Sequence, residues 1–361
     1  MEPFTIDVPE TVLDDLRERL TRTRWPVAVA GVGWDRGTDS DYLHQLVEHW
    51  RDGYDWRAQE AELNKLPQYK HDGLHFVYQP AVDQDAPVLL LLHGWPDSFL
   101  RFRRVLPLLT DFHVVVPSLP GFGFSDAPTE PGRSTPTAMA GRLADLMAEL
   151  GHDRYLVSGG DVGSGTAEIM ARTHPDRVAG LHLTDLPIWH LLGADPASLS
   201  GAEQGYMAAG MEWMQREGAY VQLQSTKPMT AAYGLTDSPA GLAAWIVEKL
   251  RAWTEDFDAT FPPDEVLTHV TLYWVTGTIG SSFGSYAEQD GPPDSTKLAV
   301  PTAVSNFPGD LFEGPREYAD RFWNVQQWRT HDRGGHFAAL EVPDLFAEDL
   351  RAFSASVVDG S

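Results

Sequence analysis

The sequence contains no cysteine, few basic side chains and no long apolar run. The absence of cysteine excludes disulfides, thiolate catalysis and cysteine-ligated metal sites. The 27 Lys and Arg residues are outnumbered by 52 Asp and Glu residues, for a net charge of −25. The surface therefore repels nucleic acid, anionic lipid and acidic substrates, but not neutral ones. The longest aliphatic run, Val88 to Leu92, is far too short to span a membrane.

The first ten residues, MEPFTIDVPE, lack the basic segment and apolar stretch of a secretory signal. We therefore expect a cytoplasmic protein without a membrane anchor. The chain has 361 residues, of which 42% are hydrophobic and 22% charged. This length and composition fit one large α/β domain with insertions or two ordinary domains. The sequence leaves the oligomeric state open and is compatible with a homodimer.

The sequence pattern of residues 1–85 predicts an N-terminal extension that is mostly helical. Apolar residues recur at helical intervals in its first part: Val12, Leu13, Leu16 and Leu20. Further helices are expected over 41–50 and 55–63. A His-Asp-Gly turn then precedes a strand predicted over 75–79.

Strands alternate with helices in the rest of the chain, apart from one long interruption. The predicted strands are 88–92, 114–116, 155–158, 178–183, 299–304 and 328–330, and the predicted helices are 137–150, 165–173 and 343–353. This alternation predicts a mostly parallel sheet flanked by helices, built from residues 86–186 and 298–361. Residues 187–297 are rich in Trp, Tyr and Met and are mostly helical. We expect them to form a cap over the strand ends.

The stretch Ser-Gly-Gly-Asp-Val-Gly-Ser-Gly follows one of these strands and has the small residues of a nucleophile elbow. Such an elbow needs small residues two positions before and two positions after the nucleophile. Asp161 meets this requirement, with Gly159 and Gly163 at those positions, whereas Ser158 and Ser164 do not. An aspartate here could equally cap the helix that follows. The local sequence leaves both interpretations open.

A His-Gly-X-Pro motif, His93-Gly94-Trp95-Pro96, follows the first predicted core strand. In hydrolases with this arrangement, the loop supplies one backbone N–H of the oxyanion hole. The residue after the nucleophile supplies the other. The two donors would be the amides of Trp95 and Val162. The motif lies one strand–helix–strand unit before the elbow, which favours Asp161 as the nucleophile.

His336 lies between the last predicted strand and the last predicted helix, where such hydrolases carry their base. Their acid precedes the base along the chain. Asp310, after the strand predicted at 299–304, is the favoured acid. Glu313, three residues later, and Asp185, after the strand at 178–183, remain alternatives.

Together these segments resemble the epoxide hydrolases of the α/β-hydrolase superfamily, in their microsomal and juvenile-hormone branch. The resemblance covers nearly the whole chain. It is carried by FTIDVPE and TRTRWP near the N-terminus, HGWP, GGDVG, STKP, DSPAGLAAW, LYWVTGT, FPGD and GGHFAA. It implies the α/β-hydrolase fold with a helical cap. The branch is named for membrane-bound members, but we expect no membrane anchor in this chain.

The resemblance also implies a role for each candidate residue. Asp161 would be the nucleophile, Asp310 the orienting acid and His336 the base. Two cap tyrosines would bind and protonate the epoxide oxygen, and they are assigned to Tyr220 and Tyr286. The residues expected to contact the substrate are Trp95, Tyr220 and Tyr286. No metal or organic cofactor is implied.

The activity implied is hydrolysis of a bulky apolar epoxide, aromatic ones included, to a vicinal diol through an alkyl ester on Asp161. It would serve detoxification or secondary metabolism. One alternative is a haloalkane-type dehalogenase with the same nucleophile, but Val162 stands where those enzymes have a halide-binding Trp. Another is a non-catalytic hydrolase-fold protein that binds an apolar ligand, which a complete set of nucleophile, acid and base argues against. A serine esterase is disfavoured because no serine occupies the elbow.

Overall fold

A computed structural model of the chain describes residues 1–191, 194–291 and 294–358. Within those residues, strands form a nine-stranded sheet in the order β1-β2-β3-β5-β4-β6-β7-β8-β9. The strands are β1 (Glu2–Pro3), β2 (Gln68–His71), β3 (Leu74–Gln79), β4 (Val88–Leu92), β5 (His113–Pro117), β6 (Tyr155–Gly159), β7 (Val178–Leu183), β8 (Pro301–Asn306) and β9 (Asn324–Thr330). The pairs β1–β2, β2–β3 and β3–β5 are antiparallel. The pairs from β5 to β9 are parallel.

Helices connect the strands of this sheet along the chain. Before β7 they are α1 (Glu10–Thr21), α2 (Ser40–Asp52), α3 (Trp56–Leu63), α4 (Pro136–Glu149) and α5 (Val162–Thr173). Between β7 and β8 they are α6 (Gly201–Glu217), α7 (Ala219–Thr226), α8 (Pro228–Asp237), α9 (Pro239–Ala252), α10 (Phe257–Thr260), α11 (Pro263–Thr276), α12 (Ile279–Ser282) and α13 (Gly284–Ala287). After β8 they are α14 (Arg316–Phe322), α15 (Ala338–Glu341) and α16 (Pro343–Val358).

This is the α/β-hydrolase fold that the sequence predicts. The central strands are continuous apolar runs because helices cover both faces of a parallel sheet. Every leucine of β4 from Leu89 to Leu92 is fully buried. Burying one such side chain contributes roughly 1.5–3 kcal/mol. The inward face of α1 also follows the predicted spacing, since Leu13, Leu16 and Leu20 are buried.

The N-terminal segment differs from its sequence interpretation because it contributes three strands to the sheet. Strand β3 was expected, but β1 and β2 were not. β1 has only two residues, and β2 is the polar tetrapeptide Gln-Tyr-Lys-His. Neither carries the alternation that marks a strand, and both form by antiparallel pairing at the sheet edge.

The carboxyl ends of the parallel strands bring distant residues to one edge of the sheet. His93 follows β4, Asp161 follows β6, Asp185 follows β7 and Asp310 follows β8. The helices α6 to α13 follow β7, which ends at this same edge. The fold therefore gathers the candidate catalytic groups beneath these helices.

Candidate active site

Asp161 occupies a sharp turn between β6 and α5. Its backbone has φ 56° and ψ −126°, a conformation that non-glycine residues rarely adopt. The turn is possible because position 163 has no side chain. A Cβ there would lie 2.4 Å from the carbonyl oxygen of Leu92. This backbone has the strain and the close packing expected of a nucleophile elbow.

The two carboxylate oxygens of Asp161 have different surroundings. Oδ1 accepts hydrogen bonds from the backbone N–H of Trp95 at 2.8 Å and of Val162 at 2.7 Å. Oδ2 lies 3.7 Å from Nε2 of His336. The two amides named from the sequence thus converge on one oxygen, while the other faces the imidazole.

The imidazole of His336 contacts Asp310 through its other nitrogen. Nδ1 of His336 lies 2.8 Å from Oδ1 of Asp310. Burial alone would lower the pKa of His336, but the charge and hydrogen bond of Asp310, with the charge of Asp161, outweigh burial and raise it. Glu313 is exposed. Of the alternatives left by the sequence, Asp310 is the carboxylate hydrogen-bonded to the imidazole.

Asp185, the third candidate for the acid, holds the backbone of the elbow instead. Its Oδ1 accepts the backbone N–H of Asp161 at 2.7 Å, and its Oδ2 accepts the hydroxyl of Ser164 at 3.1 Å. Burial, followed by the negative charge of Asp310, raises the pKa of Asp185 to about 7. A carboxyl group with this pKa is half protonated near neutral pH.

The two predicted cap tyrosines flank the side chain of Trp95. Tyr220 of α7 stacks on its indole, with ring centroids 5.0 Å apart. Tyr286 of α13 meets the same indole edge-on at 5.9 Å and lies 5.8 Å from the ring of Tyr220. Burial, followed by the charge of Asp161, raises the pKa of both phenols well above the ordinary value. Both hydroxyls are therefore protonated at neutral pH and can donate.

The structure adds two residues that the sequence interpretation missed. Trp253 packs against the site, with its ring 5.3 Å from that of His336 and 5.4 Å from that of Tyr220. Arg101 is buried and donates to Asp97 at 3.1 Å and to the backbone carbonyl of His336. The sequence carries little signal for Arg101, because Arg103 and Arg104 follow it closely in Phe-Leu-Arg-Phe-Arg-Arg.

Similarity to known proteins extends over nearly the whole chain. A family model described as "Epoxide hydrolase N terminus" matches residues 1–102, and one described as "alpha/beta hydrolase fold" matches residues 87–357. Epoxide hydrolase 1 of Sus scrofa is 34% identical, over 98% of this chain and 88% of that protein. Juvenile hormone epoxide hydrolase 2 of Ctenocephalides felis is 34% identical, over 98% and 85%. The structure of Aspergillus niger epoxide hydrolase superposes with a TM-score of 0.88 at 33% identity, covering 99% of this chain and 96% of that one.

The fold and the turn at Asp161 define an enzyme of the α/β-hydrolase class. Because full-length relatives above 30% identity are epoxide hydrolases, the chain belongs to the epoxide hydrolase family. It is an enzyme that hydrolyses epoxides, as the resemblance implied. Among the helices of the three described ranges, none combines the length and the apolar character needed to cross a bilayer.

Proposed function

We propose that the enzyme opens a bulky apolar epoxide through a covalent ester on Asp161 and releases a vicinal diol. The observation that carries this proposal is the unequal environment of the two carboxylate oxygens. Oδ1 accepts hydrogen bonds from two backbone amides, whereas Oδ2 has no such donor among the described residues and faces His336. A carboxylate held in this way has one oxygen free to attack.

In the first half-reaction, Oδ2 of Asp161 attacks a ring carbon from the side opposite the C–O bond that breaks. The departing ring oxygen takes a proton from Tyr220 or Tyr286. Their raised pKa keeps both groups protonated until this transfer. Acid assistance of this kind typically accelerates a reaction about 10²–10⁴-fold. The tyrosinate regains its proton at the end of the cycle from the carboxyl group of Asp161, on which the second half-reaction leaves the remaining proton of the attacking water.

In the second half-reaction, water attacks the carbonyl carbon of the ester while His336 accepts its proton at Nε2. Asp310 holds the imidazole in the required orientation. Negative charge develops on Oδ1, where the amides of Trp95 and Val162 already point, and one such donor is commonly worth about 2.7–4 kcal/mol. The bond between the carbonyl carbon and Oδ2 then breaks, and the alcohol takes the proton from the imidazolium. A serine in place of Asp161 would form an ether, which offers no carbonyl for water.

The aromatic surroundings support an apolar substrate. Trp95, Trp253 and Trp213 of α6 are buried around Tyr220, with ring centroids between 5.0 and 6.3 Å from it. We assign residues 187–297, which carry Trp213, Tyr220 and Trp253, to a cap. Residues 1–85 form an N-terminal extension, and residues 86–186 with 298–361 form the core. No contact in the described parts of the chain favours the dehalogenase or ligand-binding alternatives.

The test is one turnover of racemic styrene oxide in heavy-oxygen water, with enzyme in excess. We expect the first diol to carry unlabelled oxygen from Asp161 and the label to enter the enzyme. Heavy oxygen in that first diol would mean direct attack by water and would refute the ester. D161N should abolish turnover and H336Q should trap the ester, whereas D153N, at an exposed aspartate, serves as the control and should behave as wild type.

A further inference from the structure

The loop that carries the base is tied through its backbone to the segment that follows α9. The backbone N–H of His336 donates to the carbonyl of Trp253 at 3.0 Å. The N–H of Gly334 donates to the carboxylate of Glu255. Residues 253–255 belong to the region assigned to the cap, so the position of the base depends on a segment outside the core.

Glu341, at the end of α15, links these two segments directly. Its Oε1 accepts the backbone N–H of Phe337 at 2.9 Å, and its Oε2 accepts that of Glu255 at 2.9 Å. The packing leaves no room between them, because a Cβ at Gly335 would lie 3.0 Å from both carboxylate oxygens and from the backbone nitrogen of Glu255. Both oxygens of Glu341 are thus used, one on each side of the junction.

The orientation of the reacting nitrogen of the base depends on this anchoring. Nε2 of His336 is buried and makes no hydrogen bond within the described residues. Its direction is therefore set by the backbone of the loop and by Asp310 at the other nitrogen. Arg101 holds the same loop from the core side, through the carbonyl of His336. Glu341 supplies the matching hold on the cap side.

We propose that Glu341 is a positioning residue for His336, which keeps the base in line with Asp161 by locking its loop to residues 253–255. This assignment rests on the proposed covalent mechanism, since it concerns only the second half-reaction. Attack by Asp161 requires the cap tyrosines, and the hydrogen bonds of Glu341 go to Phe337 and Glu255 instead. Ester hydrolysis is therefore fast only while this cap segment is docked on the base loop.

Rapid-quench measurements with styrene oxide separate the rates of ester formation and ester hydrolysis. E341Q replaces one acceptor with an NH₂ donor that opposes a backbone N–H. We expect its ester hydrolysis to be about 10- to 100-fold slower, since a misplacement of about 1 Å can cost 10²-fold. Ester formation should stay within about twofold of wild type, so ester accumulates. The control is D344N, which removes an exposed carboxylate bound to Arg333 beside the same loop and should change neither rate.

E255A provides a second variant at an exposed position and removes the acceptor of the Gly334 N–H. It should also slow ester hydrolysis, by a smaller factor than E341Q does. It carries the test if E341Q fails to fold. Unchanged hydrolysis in the folded variants, or an equal loss in both half-reactions, would overturn the assignment. A wild-type enzyme that forms no ester would instead refute the covalent mechanism itself, and this assignment with it.

Discussion

The raised pKa of Asp185 predicts how the stability of the protein changes with pH. Its carboxyl group has a pKa of about 7 in the folded protein, against an ordinary value of 3.8. Between about pH 4 and pH 7 the folded protein keeps a proton that the unfolded chain releases. The free energy of unfolding must therefore fall as pH rises through this window, by up to about 1.4 kcal/mol per pH unit.

D185N removes this titration while keeping the shape of the side chain. The amide oxygen of asparagine can still accept the backbone N–H of Asp161, and its NH₂ group can donate to the hydroxyl of Ser164. The difference in free energy of unfolding, D185N minus wild type, should rise by about 2–3 kcal/mol from pH 5 to pH 7. Glu341, whose pKa burial also raises to about 7, contributes the same slope to both proteins and cancels in the difference.

Urea unfolding of wild type and D185N at pH 5, 6 and 7 measures this difference directly. D344N is the control. Burial would raise the pKa of Asp344, but the hydrogen bond and charge of Arg333 outweigh it and lower that pKa. This residue is therefore ionised in both states, and its difference from wild type should be flat over the same range. A flat difference for D185N as well would show that Asp185 is ionised in the folded protein, and the reasoning would fail.

Three further predictions concern the cap tyrosines, the turn at Asp161 and the packing of Trp253. Replacing both Tyr220 and Tyr286 with Phe should slow ester formation about 10²–10⁴-fold, measured by rapid quench; wild-type rates in the double variant would exclude them as acids. G163A should lower the melting temperature and the activity together, because its methyl group would overlap the carbonyl oxygen of Leu92; wild-type values for both would contradict the packing described. W253A should lower the free energy of unfolding in urea by about 3–5 kcal/mol, and a loss below about 1 kcal/mol would contradict the close packing described for Trp253.

The sequence predicts those parts of the molecule that depend on local pattern. The inward face of α1, the buried strand β4 and the turn at Asp161 each follow from spacing or composition within a few residues. The choice of Asp310 over Glu313 does not, because it depends on which carboxylate the backbone after β8 turns toward His336. Arg101 lies 235 residues from the histidine whose carbonyl it binds. Contacts of this range depend on tertiary packing and leave no local pattern in the chain.

In the proposed covalent mechanism, the two oxygens of Asp161 have different fates, because only one of them is bound by backbone amides. The oxygen bound by two backbone amides stays with the enzyme, while the other leaves in the diol and is replaced from water. In each cycle after the first, the product therefore receives the oxygen that water delivered in the cycle before. The oxygen that water supplies in one turnover and the oxygen that leaves in the diol of that turnover therefore come from two successive water molecules.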